Sequence, residues 1–426
     1  MRRLLRPAFL ALSLLASPGA LAQSDCTTLG QTVYVRDVLR EIYYWYRELP
    51  PLDPALYDSP AAYLDAVRYR PLDATFSYVD SRQSSNAFFS DSQFIGIGFG
   101  TRLVSDDEMR VTQVFPGGPA ADAGLARGDR VLAIDGRSIG ELAQSGALGG
   151  AFGPSELGVT VTLRVKGGDG RERDVTMVKR LVTIPTVSDT RMFNVDGKRV
   201  GYIHFRNFVQ PSIAALDAAF AELGAHGATE LVLDLRYNGG GLISVAQHLA
   251  GLIGGARTNG QLFCEFFHND KNGDRNQRLS FGDPLGSLDF SRLVVITTRS
   301  SASASELIIN ALRPFIPVTV IGDATFGKPV GQYGFEFCDK VLFPVAFTLR
   351  NARGEGDFFG GFPPDCAAAD DLDRQLGDPA EASLAEALHF VRTGACGAGT
   401  RSLGARPAST RFDLPKDGRQ VLIGAW

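Results

Sequence analysis

A serine and a lysine, each placed just after an apolar stretch, are the residues of this 426-residue chain best suited to chemistry. Ser303 follows the apolar stretch 293–296, and Lys328 follows the apolar stretch 318–321. Each residue is therefore expected just beyond the end of a predicted strand. A serine hydroxyl and a neutral lysine amine placed in this way can act as nucleophile and base without a histidine.

A third loop, with the sequence Asn-Gly-Gly-Gly at 238–241, also follows a predicted buried strand. Ligands gather at the carboxyl ends of strands in open α/β sheets, so one fold could bring the three loops together. Ser303 would begin a helix, whose positive end favours developing negative charge. The backbone N–H of Ala304, with that of Gly240 or Gly241, would then form an oxyanion hole.

Lys328 must be uncharged to accept the proton of the serine hydroxyl. The pKa of a free lysine is about 10.4, so burial has to lower it by about three units, which costs about 4 kcal/mol. The surrounding segment 326–330 carries no charge apart from Lys328 itself, which suits that demand. Gln332 lies four residues further on and could hold the amine in line with Ser303.

Three other kinds of site are less consistent with the sequence. The five histidines could offer a serine–histidine pair, but none lies in a loop after a strand with an acidic residue nearby: His204, His226, His248, His268 and His389. The segment 270–281 resembles a calcium loop but lacks its glycine and its final glutamate. The glycines at 96, 98 and 100 lack the strand–loop–helix context of a dinucleotide site. No metal and no cofactor are therefore predicted.

Composition and the N-terminus indicate an exported globular protein. Hydrophobic residues make up 44% and charged residues 21% of the chain, and a net charge of −4 gives no reason to expect nucleic acid as a partner. Residues 1–22 combine a basic start, an apolar stretch at 8–16 and the small-residue site Ala20-Leu21-Ala22. They predict a signal peptide cut after Ala22, a periplasmic or secreted location and no stable membrane insertion after cleavage.

An exported chain can form disulfides, and this one has five cysteines. The odd number implies that at least one cysteine is free or is paired outside the chain. Cys264 and Cys338 are a plausible pair beside the site, although the sequence leaves the connectivity open.

Changes in sequence pattern divide the remainder into four regions. Residues 23–88 have helical spacing, 89–181 are β-rich, 182–400 alternate strands and helices, and 401–426 form a polar tail. The alternation predicts an α/β fold with a mainly parallel sheet. Within the tail, Val421, Leu422 and Ile423 could pack.

The β-rich region resembles a PDZ domain. It combines a glycine loop, the string Gly-Pro-Ala-Ala-Asp-Ala-Gly-Leu at 118–125 and the string Gly-Asp-Arg-Val-Leu-Ala-Ile-Asp-Gly at 128–136. Backbone N–H groups in the loop Gly96-Ile97-Gly98-Phe99 would capture the terminal carboxylate of a peptide, which would add as a strand to the sheet edge. A closed or purely regulatory groove is the alternative.

The chain as a whole resembles the tail-specific, or carboxyl-terminal processing, serine proteases between about residues 30 and 395. The carrying motifs are Val-Gly-Tyr-Ile at 200–203, Leu-Asp-Leu-Arg-Tyr-Asn-Gly-Gly-Gly at 233–241, Ser-Ala-Ser-Ala-Ser-Glu at 301–306 and Thr-Phe-Gly-Lys at 325–328. The resemblance implies a crotonase-like or ClpP-like peptidase fold, with Ser303 as nucleophile, Lys328 as base and Gln332 as its orienting residue. Protein or peptide substrates with accessible C-terminal tails are the implied partners.

Two departures from the family pattern bear on the geometry of the site. Pro329 replaces a glycine that often follows the lysine, and residues 254–290 read as a long polar insertion. Two other functions stay open: a non-catalytic protein that binds peptides or apolar ligands on the same scaffold, and a hydrolase of small esters.

Overall fold

The computed structural model describes residues 25–397 and 418–426, so the predicted signal peptide lies outside the described residues. The first region is helical, as expected, and adds one strand: α1 (Thr28–Ile42), α2 (Pro60–Val67), β1 (Tyr78–Ser81) and α3 (Arg82–Asp91). Helix α2 begins at Pro60, because the Ser59 hydroxyl accepts a hydrogen bond from Ala62 N and proline is compatible with the first turn of a helix.

The second region forms a small β-rich unit. Its elements are β2 (Gln93–Gly96), β3 (Phe99–Leu103), β4 (Met109–Val114), α4 (Pro119–Asp122), β5 (Arg130–Ile134), β6 (Arg137–Ser138), α5 (Ile139–Gln144), β7 (Thr160–Lys166), β8 (Glu172–Val178) and β9 (Arg180–Thr183). Strands β3, β4, β5, β7 and β8 pair antiparallel in that order, and β2 pairs with β9. Alternate residues such as Val161, Leu163 and Val165 of β7 are buried in a core of their own.

The third region contains the remaining strands and helices, apart from one short helix near the C-terminus. They are β10 (Val187–Val195), β11 (Lys198–Phe205), α6 (Ser212–Ala225), β12 (Glu230–Asp234), α7 (Ile243–Thr258), β13 (Leu262–His268), β14 (Arg278–Ser280), β15 (Leu293–Thr297), α8 (Ala304–Leu312), β16 (Val318–Gly322), β17 (Val330–Gln332), β18 (Phe335–Phe337), β19 (Lys340–Phe343), β20 (Val345–Arg350), β21 (Cys366–Ala367) and α9 (Ala382–Thr393).

The central sheet has the order β10-β11-β12-β15-β16-β21 and is mixed. Strand β10 is antiparallel to β11, while the pairs from β11 to β21 are parallel. Two further sheets, β1-β19-β18 and β14-β13-β20-β17, are antiparallel. The fold is therefore mixed α/β, and the crotonase-like or ClpP-like type stays a prediction.

The segment 254–290 differs from the predicted polar insertion. Helix α7 continues to Thr258, and β13 then pairs with β20 in the interior of a sheet. Phe263 and Phe266 of β13 are buried. Charged residues in the surrounding loops gave the segment a polar composition, so the sequence did not indicate this strand.

The cysteine pairing also differs from the suggestion made above. Cys26 is bonded to Cys338 and Cys366 to Cys396, whereas Cys264 is free and buried. The proposed Cys264–Cys338 pair is therefore wrong, because Cys264 lies on β13 inside the apolar core while Cys338 lies between β18 and β19. The prediction of at least one unpaired cysteine is confirmed.

The C-terminal residues pack against the rest of the described chain. Residues 418–426 contain α10 (Gly418–Ile423), and Leu422 and Ile423 are buried in an apolar cluster with Tyr78 and Phe115. The expectation that this part of the tail packs is met for these two side chains. In the described part of the chain, each helix is too short or too polar to traverse a bilayer.

Candidate active site

The loops that follow three parallel strands of the central sheet lie at the same edge of that sheet. Strands β12, β15 and β16 are adjacent, in a register that aligns Leu231 with Leu293 and Leu293 with Val318. Their carboxyl ends therefore lie side by side, as the sequence predicts for loops that share a site. The loops that follow carry Gly240, Ser303 and Lys328.

The glycine loop lies directly against the predicted nucleophile. A Cβ atom added to Gly240 would lie 2.8 Å from Ser303 Cβ and 2.8 Å from Ala304 N. Asn238 fixes this contact, because its carbonyl oxygen accepts hydrogen bonds from Ala302 N at 3.0 Å and from the hydroxyl of Ser305 at 2.9 Å. Gly240 has a φ of +99°, a conformation that favours glycine.

Ser303 has an unusual backbone conformation at the start of α8. Its φ is +56° and its ψ is −112°, and the helix begins at the next residue, Ala304. Non-glycine residues with such angles persist only where the surroundings hold them, and they are concentrated at functional sites. The N–H of Ala304 belongs to the first turn of α8, where helix N–H groups have no partner within the helix.

A buried glutamate, Glu306, joins the serine and lysine loops. Its Oε2 accepts hydrogen bonds from Ser303 N at 2.9 Å and from Lys328 N at 2.8 Å. Its Oε1 accepts from the hydroxyl of Thr325 at 2.6 Å and from Gly327 N at 2.7 Å. Because one oxygen atom contacts both backbone nitrogens, Ser303 and Lys328 are held at one site.

The sequence assigned no role to Glu306, although a signal was present. A glutamate three residues after a helix-starting serine is the pattern of a capping box. Burial raises the pKa of Glu306, and the hydrogen bonds from Thr325, Lys328, Gly327 and Ser303 act against that rise.

The amine of Lys328 is buried and oriented, as predicted. Lys328 is only 4% exposed, and its Nζ donates a hydrogen bond to Gln332 Oε1 at 2.6 Å. The amide nitrogen of Gln332 donates in turn to the carbonyl oxygens of Phe76 at 2.8 Å and Phe343 at 2.6 Å, which fixes the orientation of the amide. Gln332 thus presents its oxygen to the amine.

Burial lowers the pKa of Lys328 to about 8, although the negative charges of Asp73 and Glu306 act in the opposite direction. At pH 7 about a tenth of the amine is therefore neutral, far more than in a free lysine, and the neutral form is the one that a general base requires. No hydrogen bond among the described residues joins this amine to the Ser303 hydroxyl. Such contacts are often long in enzymes without substrate and shorten when substrate binds.

The three predicted oxyanion donors differ from one another. The N–H of Gly240 donates to Asn238 Oδ1 at 2.9 Å and is engaged within its own loop. The N–H of Gly241 is hydrogen-bonded to no acceptor in the described part of the chain. Ala304 and Gly241 are therefore better placed than Gly240 to supply donors.

An ion-pair cluster lies beneath the glycine loop and reaches the PDZ-like unit. Asp370 is nearly buried and contacts Arg236 and the hydroxyl of Tyr237 from the loop after β12, and Arg127 from the β-rich unit. Burial would raise the pKa of Asp370, but the arginines outweigh it and hold the pKa at about 2. The sequence alone did not reveal this partner, which lies more than 100 residues from the others.

The predicted carboxylate-binding loop directs two donors at one oxygen. Ile97 N and Gly98 N donate to the backbone oxygen of Trp426, at 3.0 Å and 2.7 Å. Gly96 ends β2 and Phe99 begins β3, so the loop lies at a sheet edge. The arrangement is the one expected of a groove that binds a peptide end.

Comparison with known proteins agrees with these observations. Residues 199–367 match Peptidase family S41, residues 31–78 match the Peptidase S41 N-terminal domain and residues 110–149 match a PDZ domain. The matches confirm the resemblance seen in the sequence motifs.

Similar curated proteins include a chloroplastic C-terminal processing peptidase from Tetradesmus obliquus. It is 30% identical over 244 residues, which cover 55% of this chain and 51% of that protein. A carboxy-terminal-processing protease from Bartonella bacilliformis is 27% identical over 276 residues, or 62% of this chain and 60% of the relative. The chain thus spans only about half to three fifths of the length of these curated relatives.

Solved structures extend the likeness across most of the fold. An S41-type protein from Bacteroides fragilis covers 85% of this chain and 97% of its own, with a TM-score of 0.66 and 27% identity. The photosystem II D1 C-terminal processing protease covers 84% of this chain and 100% of its own, with a TM-score of 0.52 and 22% identity. The second comparison supports the fold alone.

Proposed function

We propose that this chain, which carries a Peptidase family S41 domain and a PDZ domain, is an exported serine endopeptidase that cleaves proteins near their C-termini. The observation that carries the proposal is the shared contact at Glu306, which holds the Ser303 and Lys328 loops together. The names of the similar proteins support the same reaction class. A crotonase-like fold type is part of the proposal.

In the proposed reaction, neutral Lys328 accepts the proton of the Ser303 hydroxyl as its Oγ attacks the scissile carbonyl carbon. The developing oxyanion accepts hydrogen bonds from the N–H groups of Ala304 and Gly241. Lys328 then passes its proton to the leaving amine, and water hydrolyses the resulting ester at Ser303. Gln332 accepts a hydrogen bond from the amine of Lys328. This bond keeps the free electron pair of the amine aimed at the Ser303 hydroxyl.

The PDZ groove would capture the tail of the substrate. Its loop at Ile97 and Gly98 already directs two N–H groups at a backbone oxygen, which supports recognition of a terminal carboxylate. Export is supported by the disulfides Cys26–Cys338 and Cys366–Cys396, since disulfides persist mainly in oxidising compartments.

Replacing the two reacting groups tests the proposal. Ser303→Ala and Lys328→Ala should each abolish cleavage of an unfolded protein substrate, because one removes the nucleophile and the other the base. Mass spectrometry of the products from chains with varied C-termini would show cleavage and its position. Circular dichroism would verify that both variants fold.

Two substitutions serve as matched controls. Ser300→Ala alters an exposed serine in the same loop, and Lys340→Ala removes a partly exposed lysine paired with Asp339. Both variants should retain activity. Undiminished peptidase activity in Ser303→Ala and Lys328→Ala would refute the assignment, and turnover of small esters without peptides would favour the ester hydrolase instead.

A further inference from the structure

The C-terminal segment 418–426 occupies the PDZ groove of its own chain. The Trp426 oxygen accepts hydrogen bonds from Ile97 N and Gly98 N, and Trp426 N donates to Phe99 O at 2.9 Å. The backbone of Trp426 is therefore bound at both the predicted carboxylate loop and the edge of β3, as a peptide ligand would be.

The side chain of Trp426 has specific partners in the groove. The indole stacks on Phe152 with ring centroids 4.5 Å apart and an interplanar angle of 21°. Its Nε1 donates a hydrogen bond to the Thr101 hydroxyl at 2.9 Å. An aromatic ring with a polar edge thus fills this position with both an apolar contact and a satisfied donor.

The groove requires a small residue where the chain end approaches. A Cβ atom on Gly96 would lie 2.6 Å from the backbone carbonyl carbon of Trp426 and 2.9 Å from its backbone oxygen. A side chain at position 96 would therefore displace the chain end. The glycine that the sequence singled out serves a close backbone approach here.

A buried arginine supplies an independent second anchor. Arg206 is fully buried, and its Nη2 donates to Ile423 O at 2.6 Å and to Gly424 O at 3.4 Å. The Nε and Nη1 atoms of Arg206 have no hydrogen-bond partner among the described residues. Without the segment, this guanidinium would lose the acceptors of its Nη2, and a buried unpaired cation is costly.

The other end of the segment lies beside the candidate active site. A Cβ atom on Gly418 would lie 2.5 Å from Phe76 O, the oxygen that also accepts from Gln332. Between the two ends, Leu422 and Ile423 are buried. The segment therefore extends from the support of the lysine loop to the PDZ carboxylate loop.

We infer that residues 418–426 are an intramolecular ligand of the PDZ groove, and that this groove selects peptides with an aromatic residue at the position of Trp426. An external tail has to displace the segment before it can bind. The inference rests on the proposed capture of substrate tails by the PDZ groove but not on the catalytic chemistry. The segment would act as a competitor that sets the threshold for substrate capture.

Peptide binding to the full chain tests this inference. The chain carries Ser303→Ala, so that binding is read without cleavage. The probe is fluorescein-labelled Gly-Arg-Gln-Val-Leu-Ile-Gly-Ala-Trp with a free carboxylate, and fluorescence anisotropy gives its Kd. A tethered ligand competes at an effective concentration on the order of millimolar, so vacating the groove should tighten probe binding by about ten-fold or more.

Two variants vacate the groove in different ways. Trp426→Gly removes the indole, and two glycines added after Trp426 extend the backbone at the point where the loop holds the Trp426 oxygen but keep every side chain. Both should show the ten-fold gain, whereas Leu285→Ala, which alters a side chain that is 99% exposed, should bind the probe as the parent does. An amidated probe should bind at least about ten-fold more weakly to each vacated variant.

Equal probe affinity in the parent and in both vacated variants would overturn the inference. Equal binding of the amidated and free probes would overturn carboxylate recognition. A concentration-dependent dimer that disappears in Trp426→Gly would show that the segment docks on a second copy, which contradicts the intramolecular assignment. All of these proteins carry Ser303→Ala. The measured Kd values therefore do not depend on whether the chain with Ser303 is an active peptidase.

Discussion

The amine of Lys328 illustrates how a single side chain can favour chemistry at the expense of stability. It is almost fully buried, and its pKa falls to about 8 chiefly through that burial. Because the pKa of an unperturbed lysine is about 10.5, charging this amine in the folded protein costs about 3 kcal/mol at neutral pH. The fold tolerates this cost at the residue that we propose to act as the general base.

The pH dependence of cleavage follows from the pKa of Lys328. The protonated amine cannot act as a base, so kcat/KM should rise with pH and level off above about pH 8. Initial rates on a fluorogenic peptide between pH 6 and pH 10 would measure the profile. A rate that is flat across this range would contradict Lys328 as the base.

The free energy of unfolding should also depend on pH through the pKa of Lys328. Between pH 8 and 10.5 the unfolded chain binds more protons at Lys328 than the folded chain, so the free energy of unfolding should rise with pH in this window. Below pH 8 both states are protonated and the cost is constant. Lys328→Met should therefore raise the free energy of unfolding at pH 7 by about 2 kcal/mol, after allowance for the lost bond to Gln332.

Urea denaturation of the parent and Lys328→Met at pH 7 and pH 10 would measure both effects. The difference between the two proteins should shrink at the higher pH. A Lys328→Met variant that is less stable than the parent at pH 7 would show that the charged amine is not destabilising.

Among the loops and helices, the Glu306 carboxylate is the link that determines relative positions. It belongs to the first turn of α8, yet it binds the backbone of the loop between β16 and β17 as well as the loop that precedes α8. A helix start and a distant loop are thus fixed to each other by main-chain hydrogen bonds. This arrangement determines the relative positions of Ser303 and Lys328, the two residues that we propose to be catalytic.

Glu306→Gln should disrupt that link. The amide nitrogen of glutamine would face two N–H or O–H donors in place of an acceptor, and buried donors without acceptors cost about 1–3 kcal/mol each. We expect the free energy of unfolding to fall by about 2–4 kcal/mol. We expect kcat/KM to fall by about 100-fold, since small displacements of reacting groups have effects of this size.

Denaturation and peptidase assays on Glu306→Gln would measure both losses. Glu172→Gln provides a matched control, because Glu172 is an exposed residue of β8 in the PDZ unit. Full activity in Glu306→Gln would show that the two loops are positioned by other contacts.

At the scale of the whole molecule, a disulfide connects two residues that lie 312 positions apart in the sequence. Cys26 precedes α1, and its partner Cys338, 312 residues later, lies between β18 and β19. A cross-link that closes a long loop limits the freedom of the unfolded chain and so favours the folded one. The N-terminal helical region is thereby fastened to the third region.

The double variant Cys26→Ala/Cys338→Ala should lower the free energy of unfolding by about 3–5 kcal/mol. Each single variant also breaks the bond, so each should lose nearly as much as the double variant. Guanidinium denaturation of the three variants and the parent would give the four free energies of unfolding of a double-mutant cycle. Additive losses from the two single variants would show that the sulfurs contribute separately and not as a bond.

The strands and helices around the site could be predicted from the sequence. The apolar stretches at 293–296 and 318–321 appear as β15 (Leu293–Thr297) and β16 (Val318–Gly322), and the helix expected to begin near Ser303 appears as α8 (Ala304–Leu312). Apolar runs and helical spacing are properties of neighbouring residues, so they can be read along the chain. Ser303 and Lys328 could be proposed from the sequence because each follows such an element, and Gln332 because it lies four residues after Lys328.

Contacts between distant segments could not be read in this way. The role of Glu306, the cysteine pairing, the burial of β13 and the docking of Trp426 each depend on which surfaces meet after folding. Local sequence pattern specifies whether a segment can form a strand or a helix. The partner of a buried carboxylate or of a chain end is specified only when packing brings residues far apart in the chain within hydrogen-bonding distance.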